Sequence, residues 1–293
     1  MRTPPEILGK IAESTLARVA KAKEALPFQQ IQEQVLFNFH REGAKGAQRT
    51  KENDIPYAHT ISCVAASSPL WLKNFESALA TPGLSFICEV KKASPSKGVI
   101  SEDFPWLEIA KDYEEGGAAA ISVLTEPEFF LGSDRYLREI SAAAAIPTLR
   151  KDFIIDPYQI YEAKLWGAGA VLLICALLEP QTLSEYMKIA NELELDCLVE
   201  IHSEEEAQEA VGVGSKIIGI NNRDLTTFKV DTGLTARLIK QIPANTLTVA
   251  ESGINTTDDI RELKDIGVNA VLIGESLMRH ADRKQFLKEL LAV

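Results

Sequence analysis

Eight short, largely β-branched apolar runs recur along this chain: Phe86–Val90, Ala120–Leu124, Pro147–Arg150, Ala170–Ile174, Asp196–Val199, Ile217–Ile220, Thr246–Val249 and Ala270–Ile273. They run on as apolar stretches instead of alternating with polar residues, which marks strands buried on both faces, as in a parallel sheet. Stretches with helical periodicity separate them. In Thr256–Ile266, for example, Ile260, Leu263 and Ile266 share one face. The approaches to the strands look alike (GGAAAISVL, WGAGAVLLI, VGVGSKIIGI, IGVNAVLIG), each with glycine where a helix must stop. Pro157 and Pro180 fall at first helical positions, and Ser203 with Glu206 has the spacing of a capping box. Eight buried parallel strands with crossover helices predict an α/β fold, a closed (β/α)8 TIM barrel. An open doubly wound sheet is the alternative, but it has no need of a steady count of eight.

The barrel is expected over residues 85–293. Residues 1–84 then form an N-terminal helical extension packing on it, with helices around Glu6–Ala25 and Ser68–Ala80. The polar stretch His40–Tyr57 lies between them. Its acids nearly cancel its cations, so it reads as an exposed loop rather than a basic binding patch.

Composition narrows the function. Lys plus Arg number 31 against 42 Asp plus Glu, a formal charge of -11, which argues against a protein held to nucleic acid by its phosphates. A small anionic substrate needs only a few local cations and stays open. The longest apolar run, Ala170–Leu178, is too short to span a bilayer, and MRTPPEILGKIAES lacks the apolar centre of a secretory signal. Cys63, Cys88, Cys175 and Cys197 form no CxxC pair and read as reduced thiols, so a cytoplasmic location is expected.

Chemistry in such a barrel sits at the C-terminal strand ends. The first strand ends in Glu89-Val90-Lys91-Lys92, where period-two alternation puts Glu89 and Lys91 on one face with Ile87. The third ends in Lys151-Asp152-Phe153, the fifth in Glu200, and the sixth in Asn221-Asn222-Arg223-Asp224. The seventh ends in Glu251-Ser252-Gly253 and the eighth in Gly274-Glu275-Ser276. Lysines and glutamates converging on one mouth can serve as acid and base, each tuned by its neighbour. Lys151 beside a carboxylate stays protonated and can donate a proton; without one it could be a Schiff-base nucleophile. Asn221 and Arg223 offer a neutral donor and a planar fork for a carboxylate. Backbone N–H groups around Ser252-Gly253 and Gly274-Glu275, with the Ser94 hydroxyl, suit a phosphate.

Among the histidines, His40, His59, His202 and His280 lack ligand spacing, so no metal is expected. His202 reads as a surface residue where a helix begins, with the barrel mouth as its alternative. No GxGxxG or Walker loop appears, so no nucleotide cofactor is expected.

The strand-end segments ICEVKKASPSKG, LTEPEFFLGS, LRKDFIIDPYQI, CLVEIHSEEE, IGINNRDLTTF, VAESGI and VLIGESLM closely resemble the successive motifs of the indole-3-glycerol-phosphate synthase family. The likeness covers about residues 85–280, with a looser one over Glu6–Lys23. It implies a lyase of tryptophan biosynthesis, acting without cofactor on 1-(2-carboxyphenylamino)-1-deoxyribulose 5-phosphate, which loses carbon dioxide and water as the indole ring closes. By this resemblance Lys151 is the general acid of ring closure and Glu200 the general base of dehydration. Lys91, held by Glu89, binds substrate, and its share in the later proton transfer is open. Asn221, Glu251 and Ser252 orient the acids and substrate hydroxyls, and Arg223 holds the anthranilate carboxylate. Ser94, Gly253, Gly274 and Glu275 match phosphate-binding positions, and Phe130, Phe153 and Leu225 would pack the aromatic ring.

The expected partners are that small phosphorylated substrate, other tryptophan-pathway enzymes and at most a second copy in a weak homodimer. No nucleic acid or membrane is expected. Two features depart from the family pattern. Thr15 stands about where the first helix usually carries a lysine, and the segment between Lys23 and Phe75 is longer than usual. A Schiff-base aldolase using Lys151 is one competing reading, and a barrel kept only as a scaffold is another.

Overall fold

The computed structural model describes residues 6–45 and 74–293. Cys63, His59 and the expected elements over residues 46–73 lie outside them. Two long helices come first, α1 (Glu6–Ala25) and α2 (Phe28–Lys45), followed by a short one, α3 (Phe75–Leu79). The expected loop from His40 is therefore corrected over residues 40–45, which finish α2. A helix running through Ser68–Ala80 is corrected too. Asn74 accepts a hydrogen bond from Ser77 N (2.6 Å) and starts α3 at Phe75.

Then strands and helices alternate. They are β1 (Ser85–Val90), α4 (Trp106–Gly116), β2 (Ala120–Leu124), α5 (Asp134–Ala143), β3 (Thr148–Lys151), α6 (Tyr158–Leu165), β4 (Ala170–Ile174) and α7 (Pro180–Glu192). There follow β5 (Asp196–Ile201), α8 (Glu204–Gly212), β6 (Ile217–Asn221), α9 (Gly233–Leu238), β7 (Leu247–Glu251), α10 (Thr257–Asp265), β8 (Ala270–Ile273), α11 (Glu275–Arg279) and α12 (Arg283–Leu291). Each barrel strand pairs in parallel with the next, and β1 pairs with β8 (Phe86 opposite Val271), so the sheet closes on itself. This is the (β/α)8 barrel. Closure leaves the barrel no edge strand.

The local signals act largely as read. Gly117 ends α4, its N–H reaching Glu114 O and Tyr113 O. Ser203 accepts from Glu206 N (3.2 Å), but the returning bond runs from His202 N to Glu206 (2.7 Å), so the expected capping box is displaced by one residue. A full capping box forms at Thr256 and Asp259 instead.

The first two helices are tied to the barrel around α6 and the end of β3. Leu8, Ile11 and Ala12 of α1 and Val35 of α2 are buried in the main core, while Val19 and Ile31 pack on Tyr158 at the start of α6. Tyr158 donates its hydroxyl hydrogen to Ala22 O (3.2 Å) or Leu26 O (3.0 Å), and Lys23 pairs with Asp156 (2.7 Å). Arg18 makes a two-pronged bond to Asp152, at 2.8 and 3.0 Å. Asp152 also takes the Thr125 hydroxyl (2.6 Å) and the guanidinium of fully buried Arg150 (3.0 Å). Arg150 is completed by Gln159 O, by Glu162 and by the face of Trp166, 4.2 Å from its Cζ.

Candidate active site

The barrel mouth opens on a cavity of about 760 Å³. Alternation along the strands decides what faces it: Leu172 and Ile174 of β4, Glu89 and, just past β1, Lys91. The fifteen residues given catalytic or substrate-binding roles from the sequence all line this one cavity: Glu89, Lys91, Ser94, Phe130, Lys151, Phe153, Glu200, Asn221, Arg223, Leu225, Glu251, Ser252, Gly253, Gly274 and Glu275. Lys92 does not; its carbonyl instead accepts from Ile100 N (2.8 Å) and Ser101 N (3.3 Å).

Lys151 is the centre of the charges. Its Nζ lies 3.0 Å from Glu200 Oε2 and 3.2 Å from Glu251 Oε2. Burial alone would lower its pKa, but the carboxylates of Glu200, Glu251 and Glu89 outweigh burial and hold the ammonium well above its usual range. One cation cannot satisfy two buried carboxylates equally. Burial raises both, yet Glu200 has further support from His202 and from an Asn221 hydrogen bond, and its pKa falls below the usual value. Glu251 lacks these and faces the Glu200 charge, so its pKa rises above the usual carboxylate value. Its Oε1 is buried without a hydrogen-bond partner. The site thus sets one lysine between two carboxyl groups whose pKa values are pushed apart. A second pair, Lys91 with Glu89, sits on the adjacent wall.

Two glycines make room for this. A Cβ at Gly219 would stand 2.2 Å from Glu251 Oε1, and one at Gly274 would stand 2.4 Å from Glu89 Oε1 and 3.1 Å from Lys91 Nζ. Side chains at either position would push the carboxylates off their lysines.

The surrounding loops are held by their own polar side chains. Glu126, buried after β2, accepts from Glu128 N (2.9 Å), Phe129 N (2.7 Å) and Phe130 N (3.0 Å), which presents Phe130 to Phe153 with ring centres 5.9 Å apart. Asn221 Oδ1 accepts from Arg223 N (3.0 Å), and Asp224 Oδ1 from Thr226 N (2.8 Å) and Thr227 N (2.6 Å), shaping the turn that carries Arg223 and Leu225. Ser252 has a positive φ of 66°, a strained value for serine, and its carbonyl is pinned by Asn222 Nδ2 at 3.1 Å. Gly274 precedes α11, and Ser276 Oγ ties that turn to Ile254 O (3.1 Å).

Some members of the site escaped sequence reasoning. Lys97 and Arg279 line the cavity and approach Glu275 at 3.7 and 3.1 Å. Only the spacing of Arg279 four residues after Glu275 hinted at this. The surface reading of His202 is corrected. Its side chain is 14% exposed, with Nε2 3.4 Å from Glu200 and Nδ1 3.5 Å from Glu206, because β5 continues to Ile201 and carries the ring inward.

Comparison with known proteins agrees over most of the chain. The sequence model of the family described as indole-3-glycerol phosphate synthase matches residues 49–290. A protein of that name from Ruminiclostridium cellulolyticum is 52% identical, the match covering 94% of this chain and 95% of the relative. Another, from Endomicrobium trichonymphae, is 48% identical over 97% of this chain and 99% of its own length. Among solved structures, thiamine phosphate pyrophosphorylase from Pyrococcus furiosus aligns with a TM-score of 0.52 at 20% identity, over 74% of this chain and 96% of that one. KGPDC from Streptococcus mutans aligns at 0.54 and 12%, over 71% and 95%. The structural likenesses speak for the barrel, whereas the sequence likenesses reach the strand ends and the extension alike. The chain belongs to the indole-3-glycerol phosphate synthase family.

Proposed function

We propose that the chain is a carboxy-lyase of tryptophan biosynthesis. It converts 1-(2-carboxyphenylamino)-1-deoxyribulose 5-phosphate to indole-3-glycerol phosphate, releasing carbon dioxide and water. The observation that carries this reading is the Lys151 ammonium set between the carboxyl groups of Glu200 and Glu251 inside the cavity. It is supported by family membership.

In this reading Phe130, Phe153 and Leu225 hold the aromatic ring, and Arg223 holds its carboxylate, so that the ring carbon meets the ketone carbon already oriented. Lys151 gives its proton to the ketone oxygen as the new carbon–carbon bond forms. Bond formation leaves the six-membered ring cationic, so the electron pair of the bond to the carboxylate flows into the ring, carbon dioxide leaves and aromaticity is restored. Glu200 takes the proton lost in dehydration. Lys91, paired with Glu89, binds the substrate and protonates the departing hydroxyl. Asn221, Glu251 and Ser252 orient acids and hydroxyls. The phosphate takes the backbone N–H groups of Gly253, Gly274 and Glu275 and the Ser94 hydroxyl. A Schiff-base aldolase would need a free amine at Lys151, and two carboxyl groups keep that amine protonated.

The same reading divides the chain into an extension, residues 1–84, and a barrel, residues 85–293. It sets the enzyme in the cytoplasm, as a monomer or weak homodimer beside other enzymes of its pathway. Gel filtration reads the oligomeric state. Among the described residues no helix is long and apolar enough to cross a membrane.

Incubation with the substrate, without added metal, should raise indole fluorescence. Lys151→Ala should lose about 10²–10⁴-fold in turnover. Full turnover in that variant would sink the mechanism.

A further inference from the structure

Glu200 faces two ways. Its Oε2 points at Lys151, 3.0 Å away, and its Oε1 points at His202 Nε2, 3.4 Å away. The other ring nitrogen lies 3.5 Å from Glu206 Oε2 on the first turn of α8. Both nitrogens are buried, and neither makes a hydrogen bond of good geometry. The structural bond at this place uses only the backbone, from His202 N to Glu206, and any residue but proline could supply it. The imidazole is thus enclosed between two carboxylates, one of which belongs to the site.

Ring closure gives that contact a use. This step rests on the reading of Lys151 as the acid and Glu200 as the base. Once Lys151 has given up its proton, the ammonium that balanced Glu200 is gone. A buried carboxylate left without a cation is unstable and captures a proton. Glu200 would then be spent as a base before dehydration needs it.

We propose that His202 is a positioning residue for this reaction, a second cation on Glu200 that keeps the carboxylate ionised and in place after Lys151 has donated its proton. The groups that face the ring fit that role. Burial lowers the imidazole pKa, but Glu206 on α8, Glu200 on β5 and Glu251 on β7 raise it above its usual 6.5. Asp224, in the turn after β6, also feels the ring as a positive charge. Across Glu200, Lys151 is the opposing cation.

The test joins two measurements on the full chain. The chain has four histidines, so NMR titration of the imidazoles, assigned with His202→Gln, is tractable. The His202 signal should titrate above 6.5. In Glu206→Gln, whose amide oxygen can still cap α8, it should move down. In His202→Gln, kcat should fall roughly tenfold, the rate equivalent of about 1.4 kcal/mol, with KM little changed. The acid limb of its pH profile should shift to higher pH, because Glu200 now holds a proton more readily.

A ring that titrates below 6.5 overturns the proposal, whether or not the glutamine variant folds. A kcat loss without movement of the acid limb also overturns it, since that pattern marks a structural role only. Absence of turnover in the unmodified chain would instead overturn the synthase reading.

Discussion

At the scale of single residues, the site depends on what is missing as much as on what is present. Gly219 leaves the space into which Glu251 Oε1 reaches. Gly219→Ala should displace that carboxyl from Lys151. The expected outcome is a marked drop in kcat in a chain that still folds, because Leu198 Cδ1, the other neighbour, stands at 3.2 Å and can give way. Circular dichroism checks the fold and substrate turnover checks the site; unchanged turnover would separate Glu251 from the chemistry.

The residues that face the cavity were legible for a simple reason. A strand alternates sides, so naming its last charged residue also names the direction of its side chain. His202, Lys97 and Arg279 were less legible, because they belong to turns and short helices, where no fixed period gives direction. The bond between Arg18 and Asp152 was illegible for another reason: its partners stand 134 residues apart, and nothing local to either announces the other.

At the scale of elements, α1 acts on β3 through Arg18. The strand end that carries Lys151 continues into Asp152, whose carboxylate is shared by Arg18, Arg150 and Thr125. Burial raises the Asp152 pKa, but the two guanidinium groups outweigh it and hold the carboxyl well below its usual value. Thr15 of α1 is buried with an unpartnered hydroxyl, and Arg18 on the following turn reaches the strand end. Arg18→Ala should cost about 2 kcal/mol, since a charge-assisted bond goes but Arg150 remains. That corresponds to a Tm lower by about 4 °C in a chain of this size. Turnover should fall too, by less than in Lys151→Ala, because the lysine remains and only its support loosens. Calorimetry and steady-state rates on the variant check both. The strands and most crossover helices could be read from periodicity and glycine stops, but α2 could not. Its second half, FNFHREGAK, is too polar to show a face, and among its described side chains Ile31 and Val35 of the first half are the buried ones.

At the scale of the whole molecule, the acidic excess and the buried network act together at low pH. Asp152 has a folded pKa below its unfolded value of 3.8, so its contribution is complete above that value and is lost as pH falls toward the folded pKa. The net charge of -11 also disappears as carboxylates protonate, leaving 31 Lys and Arg and four protonated His to repel one another. Thermal stability should therefore drop steeply below about pH 4. In Arg18→Ala the drop should be shallower, because Asp152 is then held less far from its unfolded value. A set of melting curves from pH 7 to pH 2.5 on both chains makes the comparison. Parallel curves would show that Arg18 does not set the Asp152 titration.

The seam of the barrel has a consequence for how the molecule comes into being. Because β1 closes against β8, Glu89 and Lys91 meet Gly274 from opposite ends of the barrel sequence. On a ribosome, the strand bearing the first half of that contact is made long before its partner. Until Ala270–Ile273 emerges, β1 and β7 each present an open row of amides and carbonyls, and the turn at Gly274 does not exist. The cavity that gathers the charged side chains is thus complete only once the last strand is made.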